Sequence, residues 1–289
     1  MTMARREALL FPAALRAATA KPFRLAICSE TFPGMEFPEI CAAAKRTGYT
    51  GLEIDPSNLS PDPAALTRER RATLRRHMED AGLTHVGLHS FLKTPPGLHL
   101  TAPDSAVRQK SWDYFARLID LCADLGPDSL MVLGSAKQRS GGGLAPLEEG
   151  LARMAPLAAA RGVTVVLEPL GPGFTDNVNT IAQAVEIIER TGSPGLRTML
   201  DTHHLTAETE PHASLIPKHL RYLRHIHLNE MDGRYPGSGK YDFAAFLAAA
   251  RKAHYAGWLS VELFDFQPDG ETVARRSAEF VRGIERRLG

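Results

Sequence analysis

Arg197-Thr-Met-Leu-Asp-Thr-His-His204 decides how the chain is read. The segment begins as a buried strand in Thr198, Met199 and Leu200, then stops on Asp201, His203 and His204. An apolar run that ends on an acid and imidazoles has the form of a barrel strand delivering chemistry at its C-terminal end. Three further segments share that form. Val163-Thr-Val-Val-Leu-Glu-Pro-Leu170 ends on Glu168, Leu223-Arg-His-Ile-His-Leu-Asn-Glu230 carries His227, and Trp258-Leu-Ser-Val-Glu-Leu263 carries Glu262. Glu, Asp, His and Glu on four successive strand ends make an oxygen-and-nitrogen donor set for one divalent metal ion, with acid/base capacity.

Any one of these residues has a plainer reading, as a helix cap, an ion-pair partner or a satisfied core group. The four together do not. Uncompensated carboxylates gathered at one place repel one another, and a divalent cation removes that repulsion. His225 and His227 lie two apart and so face the same way on one strand, with His227 nearer the mouth.

Working outward, strand patterns start near Phe23, Thr50, Thr84 and Ser129 as well as at the four segments above. Helical patterns separate them, over 37–47, 63–81, 105–125, 146–161, 178–190, 214–220, 242–254 and 271–287. Eight strand-helix units predict an α/β chain folded as a single (β/α)8 TIM barrel. The rival is an open doubly wound sheet, and no Gly-x-Gly-x-x-Gly follows the first strand to favour it. No linker divides residues 21–289, which read as one catalytic barrel.

Residues 1–20 read differently. Arg5-Arg6 precedes an apolar run and Ala18-Thr-Ala20, the form of a degenerate twin-arginine export signal. Pro12 and Arg16 interrupt the run, which favours a retained N-terminal extension on a cytoplasmic chain. No later run is long and apolar enough to span a bilayer. A net charge of +1 makes no electrostatic case for nucleic acid. Cys28, Cys41 and Cys122 have neither metal spacing nor a disulfide framework and read as small buried hydrophobes.

Glu168 in Leu-Glu-Pro-Leu, Asp201 with His204 three residues on, His227 in His-Ile-His-Leu and Glu262 in Val-Glu-Leu resemble the xylose-isomerase-like barrel superfamily. Within it the chain is most similar to the sugar phosphate isomerases/epimerases, whose best-understood members are the ketose 3-epimerases. Gly51-Leu-Glu-Ile54 and Pro236-Gly-Ser-Gly239 fit the same pattern, and the resemblance runs from Phe23 to Leu288. It implies that Glu168, Asp201, His227 and Glu262 bind one divalent ion, Mn2+ first, with Mg2+ and Co2+ as alternatives. It further implies that Glu168 and Glu262 transfer a proton at the carbon beside a keto-sugar's carbonyl, through a metal-stabilised enediolate. His204 would hold the carbonyl oxygen, and His89, Arg234, Glu53 and Phe174 complete the expected substrate contacts. The expected partner is a small-molecule sugar, with no nucleic acid and no membrane, in a homo-dimer or homo-tetramer.

The sugar-binding shell departs from the 3-epimerases. Phe174 stands where their second Glu follows the metal Glu by six residues, Arg234 is displaced by one from their Arg, and Gly171-Pro-Gly173 replaces a polar stretch. A dehydratase or lyase acting on a modified keto-sugar or glycoside is therefore the alternative to an epimerase. The superfamily's abasic-site nucleases need a His after the fourth strand, where this chain has Gly134-Ser135, and an Asp-x-His where it has Lys240-Tyr-Asp242. A non-catalytic carbohydrate-binding barrel has no use for the paired glutamates. His203, beside His204 on a segment read as extended, is expected to point away from it. Trp112 lies in a helical pattern and is expected in the core.

Overall fold

A computed structural model describes residues 21–288, so the expectations for residues 1–20 lie outside the described residues. Eight parallel strands close into a barrel in chain order. They are β1 (Arg24–Cys28), β2 (Gly51–Ile54), β3 (Thr84–His89), β4 (Leu130–Leu133), β5 (Thr164–Leu167), β6 (Leu196–Asp201), β7 (Leu223–Leu228) and β8 (Trp258–Val261). Closure comes from the β1–β8 pair, with Arg24 opposite Trp258 and Ile27 opposite Val261. The surrounding helices are α1 (Phe37–Arg46), α2 (Arg68–Asp80), α3 (Ser105–Leu125), the short α4 (Ala136–Arg139), α5 (Leu144–Ala160), α6 (Ile181–Thr191), α7 (His212–His219), α8 (Phe243–Lys252) and α9 (Gly270–Leu288). The (β/α)8 expectation holds.

The period-two alternation of the strands sorts their side chains into two cores. Leu25, Ile27, Leu52, Ile54, Ile226 and Leu228 are buried in the layer shared with the helices. Ala26, Val86, Leu130, Val132, Val166, Met199 and Trp258 form a smaller apolar cluster inside the barrel. Gly51 is required there: a Cβ would stand 2.6 Å from the Trp258 ring and 2.7 Å from Val86. Above this apolar plug the inward positions turn polar, and the chemistry begins at that level. Trp112 is buried against Phe115 in the outer core, as expected. All three cysteines are buried and unpaired.

Several helix starts differ from the sequence reading, and three of them have a plain local reason. The segment 63–81 divides into a 3₁₀ turn at Pro63–Ala65 and then α2, because the Thr67 hydroxyl accepts the Arg70 N–H and caps the helix there. Val178 takes positive φ, and the Thr180–Gln183 capping box starts α6 at Ile181. Leu144 opens α5 two residues before the expected start, leaving Pro146 in the first turn, where its missing N–H costs little. No helix among the described residues is long and apolar enough to cross a membrane.

Candidate active site

Four strand ends converge at the C-terminal mouth. Asp201 closes β6 and His227 lies in β7, while Glu168 and Glu262 stand one residue beyond β5 and β8. One donor atom from each residue lies within 4.8 Å of the other three. His227 Nδ1 is 2.9 Å from Glu262 Oε2, 3.6 Å from Asp201 Oδ2 and 3.9 Å from Glu168 Oε1. All four side chains are buried. Glu168 Oε1 and Asp201 Oδ2 are buried acceptors without a hydrogen-bond partner. Buried carboxylate oxygens left unpaired at one point are costly unless a cation takes them. This donor set therefore fits a divalent metal ion.

The surroundings hold the four groups in place. Glu53 is fully buried, and its Oε2 accepts from His225 Nε2 at 2.8 Å. His227 Nε2 donates to the same carboxylate at 3.1 Å, which leaves Nδ1 turned toward the three acids. Such a carboxylate–imidazole pair fixes tautomer and ring orientation. Glu53 is thus a brace beneath His227, not the substrate contact expected, because β2 aims it into the barrel below the mouth. The Asp201 Oδ1 accepts the His203 N–H at 2.8 Å. Arg139, fully buried on α4, donates to the Glu168 carbonyl oxygen at 2.7 Å. Gly134 follows β4 and packs against Glu168: a Cβ there would stand 2.2 Å from Glu168 Oε2.

The two glutamates differ electrostatically. Burial, with the Glu262 and Asp201 carboxylates adding to it, pushes the Glu168 carboxyl well above the ordinary range. Burial also opposes ionisation of Glu262, but His227 and His89 outweigh it and hold that carboxyl well below the ordinary range. His227 loses by burial and gains more from Glu53 and Glu262, so its second proton is held strongly. Two carboxyls with environments pushing apart are the arrangement that acid/base chemistry uses. Burial keeps His204 on the neutral side of its usual range.

A cavity of about 520 Å3 opens above the donor set. His89, Glu168, His204 and Glu262 line it, as does Phe174, which is half exposed and stands edge-on to His204 at 4.6 Å. His89 spans from Glu262 Oε1 at 3.2 Å to Glu30 Oε2 at 2.9 Å. Arg234 does not join them. It is exposed, bonds Asp232 at 2.8 Å and lines a separate hollow with Tyr241, because the loop after β7 carries it away from the mouth. His203 also departs from expectation. Residues Thr202–Ala207 form a 3₁₀ helix, not an extended segment, so the His203 and His204 rings lie 4.8 Å apart.

Sequence reasoning missed Glu30, Lys93, Arg139 and Phe264. Lys93 lines the cavity and pairs with Asp55 at 2.9 Å. Lys93 lies in a loop and Arg139 on a four-residue helix, so no periodic signal marks them, whereas Glu30 stands two residues beyond the apolar β1 and was legible as a strand end. Phe264 follows Glu262 by two and was within reach of the same reading.

Residues 41–284 match the sequence profile of the xylose isomerase-like TIM barrel family. An L-ribulose 3-epimerase of Mesorhizobium japonicum is 30% identical over 216 residues, 71% of this chain and 70% of that protein. A ketose 3-epimerase of Arthrobacter globiformis is 30% identical over 171 residues, 57% of this chain. The chain spans only 59% of the length of that second enzyme. The solved structure of an L-ribulose 3-epimerase superposes with a TM-score of 0.77 at 23% identity, covering 92% of this chain and 96% of that one, a likeness of fold.

Proposed function

The chain belongs to the xylose isomerase-like TIM barrel family, and on that premise we propose that it is a divalent-metal-dependent keto-sugar epimerase. The single observation that supports this most is the donor set itself: four buried groups within 4.8 Å, two of them glutamates with unlike environments. Glu168, Asp201, His227 and Glu262 would hold the ion, with Mn2+ first and Mg2+ or Co2+ as substitutes. A divalent cation there supplies Lewis-acid neutralisation of the charge that grows as a proton leaves the carbon beside a carbonyl.

The residues of the chain supply the rest. One of Glu168 and Glu262 removes that proton, and the other returns one to the opposite face. Neutral His204 donates to the substrate oxygen, and its ring is steadied by Phe174. His89 anchors Glu262 through its second oxygen. Glu53 keeps His227 Nδ1 turned inward. The barrel from residue 21 onward is the catalytic unit in this reading.

The test is proton exchange in deuterium oxide, with a panel of free ketoses and keto-glycosides followed by NMR. Deuterium should enter at the carbon beside the carbonyl, stop on chelation and resume with Mn2+. A chain that exchanges none of the panel with any of the three metals is not this enzyme.

A further inference from the structure

The cavity above the donor set does not stop at Phe264. That ring lines the cavity and also lines a second hollow of about 790 Å3, between the β1–α1 and β8–α9 loops. Phe264 is 53% exposed and Phe174 50%, high for large apolar rings on a protein surface. Both touch His203, at 5.5 Å for Phe174 and 5.0 Å for Phe264. The three rings form one aromatic shelf that leads out of the cavity and into the hollow. Beyond it, Met35 and Phe266 continue the apolar lining, and Asp265, Asp269 and Arg275 stand around it.

Open aromatic faces beside carboxylates and a guanidinium are a sugar-binding surface. The C–H face of a pyranose stacks on a ring, and its hydroxyls donate to carboxylates and accept from arginine. Asp265 and Asp269 face Arg275, and Glu271 is already paired with Arg46 at 2.6 Å, so the hollow has no excess of positive charge to draw a phosphorylated ligand. A free ketose seated on the donor set would leave the outer face of Phe264 in water.

We propose that the hollow is a subsite for a second, uncharged sugar ring, so that the substrate is a keto-disaccharide with its keto ring over Glu168 and Glu262. This rests on the keto-sugar reading above. The second ring lies on Phe264 and Phe266.

The experiment uses the full Mn2+-loaded chain and compares solvent-deuterium entry into 3-ketosucrose and 3-ketolactose with entry into fructose and psicose. The expected result is a kcat/KM at least tenfold higher for a keto-disaccharide. Phe264→Ala and Phe266→Ala, checked by melting curves to be folded, should each narrow that ratio roughly 3–10-fold, the size of a lost stacking contact. Free ketoses exchanged as well as keto-disaccharides, with a ratio neither variant moves, overturn the subsite and leave the epimerase reading standing. If nothing exchanges, the epimerase reading falls and calorimetry with lactose decides the subsite. Lactose binding that Phe264→Ala weakens several-fold supports it, and no binding overturns it. A wild-type dimer that Phe264→Asp dissociates in sedimentation also overturns it, since the hollow is then an interface between copies.

Discussion

The two ends of the barrel handle charge in opposite ways. At the base, Glu285 accepts the Phe23 N–H and pairs with Arg251 and Arg282 at 2.7 Å each. Arg282 also donates to the Phe23 carbonyl at 2.9 Å, and the Arg24 and Arg251 guanidinium groups stack 4.0 Å over Trp258 and 4.1 Å over Phe23. Acid and base answer each other there. At the mouth, three carboxylates surround one imidazole, and buried oxygens of Glu168 and Asp201 go without a partner. The base is built for stability. The mouth tolerates a local electrostatic conflict, of the kind that a bound cation relieves, at the end where a barrel keeps its function.

Breaking the mouth should cost activity far more than folding. Glu168→Gln and Glu262→Gln are each expected to lower metal-dependent exchange by on the order of 10²–10⁴, since an amide can still reach a metal but cannot carry a proton. Near-normal exchange in either variant would remove that residue from the acid/base pair. Gly134→Ala places a methyl against Glu168 Oε2. A displaced carboxylate should cost about 10²-fold in turnover, with the melting temperature little changed because the flexible carboxylate tip can move aside. Unchanged turnover would mean that Glu168 has slack at that point.

Glu53→Gln sharpens the comparison from below the mouth. It weakens the brace on His227 without touching the donor set. Mn2+ affinity, read by calorimetry, should fall about 10–100-fold. An unaltered affinity would assign Glu53 to packing alone.

The base should show the reverse pattern. Glu285→Ala is expected to lower unfolding free energy by about 1–2 kcal/mol in denaturant titrations and to leave exchange intact. Its pH dependence has a definite sign. Burial raises the Glu285 carboxyl, but the Phe23 N–H and Arg282 outweigh it and hold it below the ordinary range. Its contribution is therefore present above the ordinary Glu value and is lost as pH falls through the lowered one. The difference between wild type and variant should shrink on that acid limb. A difference that grows with acidification would contradict the assignment.

The order of the strands, the barrel class and the four-residue donor set were legible in the chain because each rests on local pattern. Alternation of period two, helical spacing between, and a polar residue where an apolar run stops all lie within short windows. Asp201 and His227 announce themselves in this way, as do Glu168 and Glu262. Barrel closure decided the rest. Glu53 lies far from His225 and His227 in sequence, and only the ring of strands brings its carboxylate beneath both. Arg139 reaches the Glu168 backbone through a four-residue helix too short to carry a periodic signal. The family resemblance put Arg234 among the substrate contacts, and the path of the loop after β7 sets it beside Asp232 in a separate hollow. The shelf of Phe174, His203 and Phe264 joins two loops and a 3₁₀ turn, and such segments obey no period. Pattern determines which residues end a strand; the closed sheet determines which of them meet.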